Sequence, residues 1–187
     1  TWTVTGSGAF LLSSCFTGIP GKSCVQITGI TTGRIVDYGV KDSMHMGAAM
    51  APAAFHTVMQ NLKDLEITKE QLEGGWYDKI ITGDLGKIGK QALADLLRNE
   101  GLEAEGFLMD CGVEIYDNQK QDTHAGGSGC GCSALVLGAL ILPNIQAGIW
   151  KRVLFVPTGA LLSTVSFNEG QTIPGIAHGV ILERMGK

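Results

Sequence analysis

YDKIITGDLGKIGKQALADLLRNEG, residues 77–101, changes its period in the middle. Tyr77, Ile80, Ile81 and Thr82 make 77–82 a buried strand, because β-branched and aromatic residues fit a pleated surface. From Lys87 the apolar residues return at helical spacing. The helix predicted over 87–100 ends at Gly101, a residue suited to the left-handed closing position. GDLG, 83–86, is the turn between them. A strand that feeds a helix through a tight turn is the repeating unit of layered α/β sheets.

Outward from this unit the same alternation continues. Residues 2–12 alternate and predict a strand, GIPGK (18–22) a turn, and 24–36 a second strand, together a hairpin. Residues 46–65 predict a helix with a small-residue face of Ala48, Ala49, Ala53, Ala54 and Val58. Pro52 predicts that this helix starts near it or bends there. Then follow a strand over 107–115, a helix over 133–146, a strand over 152–157 and a last strand over 176–184. The sequence shows no linker and no internal repeat, and 187 residues suffice for one domain with a real core.

Composition excludes several classes. Hydrophobic residues are 44% and charged residues 17%, which is not the balance of a disordered chain. The net charge of −4, with no basic stripe, argues against nucleic acid or an anionic membrane as the main partner. No apolar run has the length of a bilayer span; 134–142 is broken by Gly138 and followed by Pro143. The opening residues read as a strand, so no secretory leader is expected. Five cysteines, Cys15, Cys24, Cys111, Cys130 and Cys132, are an odd number at irregular spacing and predict a reduced interior without a disulfide framework.

Three glycine-bearing loops follow strands or precede helices: GDLG, GGSGCG (126–131) and GALLS (159–163). In open α/β sheets such loops converge on a crevice beyond the carboxyl ends of the strands. Their backbone N–H groups suit an anion, although each alone is also an ordinary tight turn. Cys130 and Cys132 are one residue apart and lack the partners of a zinc site. His124 is the one nearby general base for a cysteine nucleophile, and it equally fits a surface loop. Packing is the expected role of Cys111 and of the cysteines entering the apolar helix. Asp84 ends a buried strand as either a functional carboxylate or the N-cap of the next helix. His45 and His178 read as loop and sheet residues, and His56 as half-exposed on the first helix.

WYDKIITGDLGKIGKQALADLL (76–97), HAGGSGCGCSALVLGALI (124–141), GIWKRVLFVPTGALLS (148–163) and GIAHGVILER (175–184) resemble the second half of the thiolase fold, and within it ketoacyl synthase III. WTVTGSGAFLLSS (2–14) resembles the strand that closes the first half of such proteins. MGAAMAPAA (46–54), IITGDLG (80–86), GGSGCGCSA (126–134) and EGQTIPGIAHGVILER (169–184) resemble the stage V sporulation protein AD family. The resemblance implies a thiolase-like C-terminal half over 1–187, a layered α-β-α structure with a mixed five-stranded sheet. Residues 1–40 would be a hairpin joining it to a first half not in this chain. The family's nucleophilic cysteine would lie in that first half, and none of the five cysteines here aligns with it. Where the synthases carry histidine, this sequence reads Gly83-Asp84; where they carry asparagine, it reads Gly127. Neither replacement supplies the donors that hold a thioester oxygen.

The resemblance therefore implies a protein without catalytic residues, cofactor or resident metal. Its implied role is non-enzymatic binding of dipicolinic acid, alone or with calcium, in uptake into the developing spore and release at germination. It implies a place in the spore or forespore, peripheral at the inner membrane, beside other stage V sporulation A-type membrane proteins, and a homodimer with no nucleic acid. A ketoacyl synthase III-like acyltransferase is the alternative, and a scaffold with a vestigial pocket a third. The ligand residues expected are Gly83 and Asp84, the amides of Ser128, Gly129, Cys130, Gly159 and Ala160, and the hydroxyls of Ser128 and Thr158. Asp84 would repel a dianion unless its charge is taken up, by capping its own helix or by a calcium ion between the two. Without the first half, the apolar helix 133–142 and the alanine face of 46–65 are expected to lie exposed and drive self-association.

Overall fold

The computed structural model describes residues 1–14 and 23–185. Its strands are β1 (Trp2–Thr3), β2 (Val25–Thr31), β3 (Lys79–Thr82), β4 (Leu108–Asp110), β5 (Gly127–Ser128), β6 (Arg152–Val156), β7 (Thr158–Ala160), β8 (Gly175–Ala177) and β9 (Gly179–Arg184). Its helices are α1 (Met46–Asp64), α2 (Lys69–Glu73), α3 (Gly86–Asn99), α4 (Cys111–Glu114), α5 (Cys132–Val136), α6 (Leu142–Ala147) and α7 (Thr164–Asn168). A π-helical turn, Leu137–Ile141, joins α5 to α6 without a break.

The central sheet has the order β2-β9-β6-β3-β4. β3 runs parallel to β4 and β6, while β9 is antiparallel to β6 and β2. The expected mixed five-stranded sheet in an α/β fold is what forms. Register explains its two cores. Ile80 stands opposite Leu108 and Leu154, and their side chains join α1 and α3 on one face. Ile81 stands opposite Met109 and Phe155, and these pack with Val136, Ile141 and Ile145 on the other face. Alternation along each strand thus gives helix, sheet and helix layers.

Four expectations need correction. The hairpin does not form: β1 pairs in parallel with β5, and β2 pairs with β9. Residues beyond β1 lie along the helix over 132–147, where a Cβ on Gly6 would come within 2.6 Å of Leu135 Cδ1. Only Trp2 and Thr3 of the 2–12 stretch are in a ladder, and Leu11 and Leu12 at its end are exposed, so its alternation does not mark one continuous strand. The turn expected over 18–22 lies outside the described residues. The strand expected over 107–115 stops at Asp110, because Cys111–Glu114 coils into α4. The strand expected over 176–184 is two, divided at His178.

α1 begins at Met46, before Pro52, and continues past it; the proline removes one donor without ending the helix. The alanine face is not left open. Ala49, Ala53, Ala54 and Val58 are buried within this chain. On the opposite layer, Gly138 and Ala139 stay exposed. The wider π turn lies just before Pro143, whose ring would otherwise press on the preceding turn. Among the described residues, no helix is long and apolar enough to cross a membrane.

Candidate functional site

The carboxyl ends of β3, β4 and β6 meet the loop after β5 at one end of the sheet. Asp110, the last residue of β4, is completely buried there. Its carboxylate accepts hydrogen bonds from Thr82 Oγ1 at 2.7 Å, Leu85 N at 2.9 Å and Gly86 N at 3.0 Å. A carboxylate from a neighbouring strand thus satisfies the opening amides of α3, a task that was one of the two roles the sequence left open for Asp84. Asp84 instead reaches across the crevice, and its Oδ2 accepts the Gly129 N–H at 3.0 Å. Burial holds both carboxyls above the usual range. The Gly129 bond partly offsets this for Asp84, while the nearby Asp84 charge adds a smaller rise to Asp110.

Seven of the eight expected ligand residues line one crevice of about 520 Å³: Asp84, Ser128, Gly129, Cys130, Thr158, Gly159 and Ala160. Gly83 does not line it. A Cβ at Gly83 would lie 2.9 Å from Ser133 Oγ and 3.1 Å from Thr158 N, so this glycine lets three elements close against one another. The same contact leaves no room for a histidine at that position. The lining also has an apolar part: Met44 in the turn before α1, Met46 and Met50 in its first turns, and Leu85 and Ile88 at the start of α3. The sequence reading missed this part of the wall, although MGAAMAPAA was among the motifs it singled out. Met44, Met46 and Met50, within six positions of one another around a helix start, read equally as core.

Thr158 lines the crevice, while its Oγ1 is buried toward Gly83, 3.3 Å from where a Cβ there would stand, without a hydrogen-bond partner. A hydroxyl taken from water with no partner costs roughly 1–3 kcal/mol, so it is an unusual thing for a fold to keep. Gly129 is the reverse case. Its N–H is already spent on Asp84, so it is not the free anion donor the sequence suggested. Its φ of +126° is accessible to glycine and strained for other residues. A Cβ there would face Thr3 and Val4 of the first segment.

Cys111 and Cys132 are fully buried among apolar side chains, as expected of packing residues. Burial pushes the Cys132 thiol up to about 12 and the Cys111 thiol higher still. Cys130 corrects the expectation that both cysteines of this loop are core: it is exposed and borders the crevice. Cys15 lies outside the described residues. His45 stands at the rim, paired with Asp42 at 3.7 Å. His124 is an exposed loop residue 3.2 Å from Asp122. His56 lies half-buried on α1 against Arg34, and His178 accepts the Gly33 N–H. Among the described residues, no three His, Cys, Asp or Glu side chains stand together as a metal-ligand set.

A crevice at the strand ends with a polar floor and a methionine wall describes a binding pocket, and the sequence around it is not isolated. The family model of Stage V sporulation protein AD matches residues 1–183. The chain is 44% identical over 186 residues to Stage V sporulation protein AD of Bacillus subtilis (strain 168), an alignment that covers 100% of this chain and 52% of that protein. The chain therefore spans about half the length of this relative. The matched residues include GDLG, GGSGCG and GALLS, the three loops that build the crevice. On this match over nearly its whole length, the chain belongs to the stage V sporulation protein AD family.

Proposed function

We propose that the crevice binds dipicolinic acid without transforming it, and that the protein so acts in dipicolinate uptake into the spore and release at germination. Dipicolinate is a flat aromatic ring bearing two carboxylates at neutral pH. Such a ligand needs donors for its carboxylates and soft apolar contact for its ring. The lining includes Ser128 and Thr158 and three methionines, whose sulfurs suit an aromatic face. The observation that carries this reading is the convergence of seven of the eight expected ligand residues on one crevice, among them Thr158, whose Oγ1 has no partner. Turned from Gly83 toward the crevice, that hydroxyl would meet a bound carboxylate, the partner it lacks.

The non-enzymatic part of the proposal has its own support. Where the resemblance puts the synthases' histidine, this chain has Gly83-Asp84: Gly83 is packed too closely for one, and Asp84 is a carboxylate that accepts the Gly129 N–H. The thiols of Cys111 and Cys132 are buried and strongly resist ionisation, which is the opposite of an activated nucleophile. In this proposal the protein works in the spore or forespore, peripheral to the inner membrane, together with other stage V sporulation A-type proteins and as a homodimer. Calcium can accompany the ligand.

The test is calorimetric titration of the full-length protein with dipicolinate, wild type against Thr158→Val. The valine keeps the shape and removes only the orphan hydroxyl. Folding stability should hold or rise, because no hydrogen bond is lost. Affinity should fall about tenfold, the worth of one hydrogen bond of roughly 1.4 kcal/mol. Wild-type protein that binds no dipicolinate, or a valine variant that binds as tightly as wild type, would remove the crevice as the site.

A further inference from the structure

The Gly129 amide belongs to the loop that faces the crevice, yet it is occupied from inside the protein. Asp84 holds it at 3.0 Å, and both residues line the cavity. The carboxylate of Asp84 is thus in the place, and makes the bond, that a ligand carboxylate would. No Lys or Arg lines the crevice to neutralise it. The ionisable groups near Asp84 include Asp110 on β4, Cys111 at the start of α4 and Cys132 at the start of α5. None of these supplies a positive charge, and His45 is the one imidazole on the lining.

We propose that Asp84 is an internal latch: its carboxylate stands in for the ligand at Gly129, and an anionic ligand binds by displacing it. This rests on the crevice being the dipicolinate site. It makes Asp84 a residue that sets how strongly the site holds an anion. In the closed state Asp84 accepts the Gly129 N–H and the loop is tied to the end of β3. In the bound state that N–H turns to the ligand carboxylate, and Asp84 gives up its partner. Affinity is lowered by the lost Asp84–Gly129 bond and by repulsion between like charges. A site built this way holds a dianion firmly enough to select it and weakly enough to release it.

Two substitutions separate the parts of the latch. Asp84→Asn keeps an acceptor for Gly129 and removes the charge. Asp84→Ala removes both. The full-length protein and both variants are titrated with dipicolinate, and hydrogen exchange is followed by mass spectrometry on peptides covering 126–132. Both variants should bind at least tenfold more tightly than wild type. In the unliganded Asp84→Ala protein the Gly129 amide should exchange at least tenfold faster than in wild type, and dipicolinate should slow it again. Wild type that binds while both variants bind equally or more weakly would overturn the latch and leave the crevice intact. Should the alanine variant not fold, the asparagine variant alone decides on affinity. Wild type that does not bind at all would overturn the binding site and the latch with it.

Discussion

Two aspartates lie at the same end of the sheet and are used in opposite ways. Asp110 is sealed, and its two oxygens accept three hydrogen bonds from Thr82, Leu85 and Gly86. Asp84, partly exposed on the crevice wall, accepts one bond from a neighbouring loop, from Gly129. The first is a structural hub: it fixes the direction in which α3 leaves β3. The second shares the lining of the crevice with Thr158, whose buried hydroxyl has no partner. Full satisfaction marks the part of the site that builds the pocket, and incomplete satisfaction marks the part that meets a ligand.

If that contrast is right, substitutions should separate stability from binding. The largest stability loss is expected at the hub. Asp110→Ala leaves the buried Leu85 and Gly86 amides without an acceptor, while the Thr82 hydroxyl keeps Met109 O at 3.3 Å, and should lower the unfolding free energy by about 3 kcal/mol, read by urea denaturation of the full-length protein. An alanine variant as stable as wild type would mean that the hub is not structural. Gly83→Val comes next. Its side chain would collide with Ser133 and the Thr158 backbone, and a loss of about 2 kcal/mol should follow in the same assay. Gly129→Ala introduces a side chain at φ +126° and should cost about 1 kcal/mol or somewhat more. The space beside it is adequate, so backbone strain is the cause to be read.

Asp84→Asn should move stability least, by less than about 1 kcal/mol, and its effect should depend on pH. The folded carboxyl lies above its unfolded value because burial disfavours the charge. Its favourable contribution is therefore present below the unfolded carboxylate value and is lost as pH rises through the folded one. The asparagine carries no such loss. The melting temperature of the variant relative to wild type should be higher at pH 7 than at pH 4, measured by calorimetry at both. A difference that is flat or reversed would show that the carboxylate is not desolvated as its position implies.

The layers of this fold were legible because period and register agree. Ile80 and Ile81 face opposite cores, and GDLG marks where the strand period gives way to the helical one. The convergence of three glycine loops was legible for the same reason, since each follows or precedes a recognised element. What the sequence did not disclose is pairing at a distance. Trp2 and Thr3 sit beside Gly127 and Ser128, some 125 positions away, and nothing local distinguishes that ladder from a hairpin. The exchange of roles between Asp84 and Asp110 was hidden similarly. Asp84 adjoins α3 in sequence and has the residue type of a cap, whereas Asp110 reaches the helix start only through the parallel pairing of β3 with β4. The methionine wall was hidden because Met44, Met46 and Met50 satisfy the pattern of a helix core until the sheet's loops are placed above them.

The most direct measurement is a crystal structure of the full-length protein with dipicolinate bound. The account predicts the ring against the methionine wall, one carboxylate on Thr158 Oγ1, and the other on the Gly129 N–H with Asp84 displaced. Ligand found elsewhere, with Thr158 Oγ1 still unpartnered and the Asp84–Gly129 bond unbroken, would contradict it.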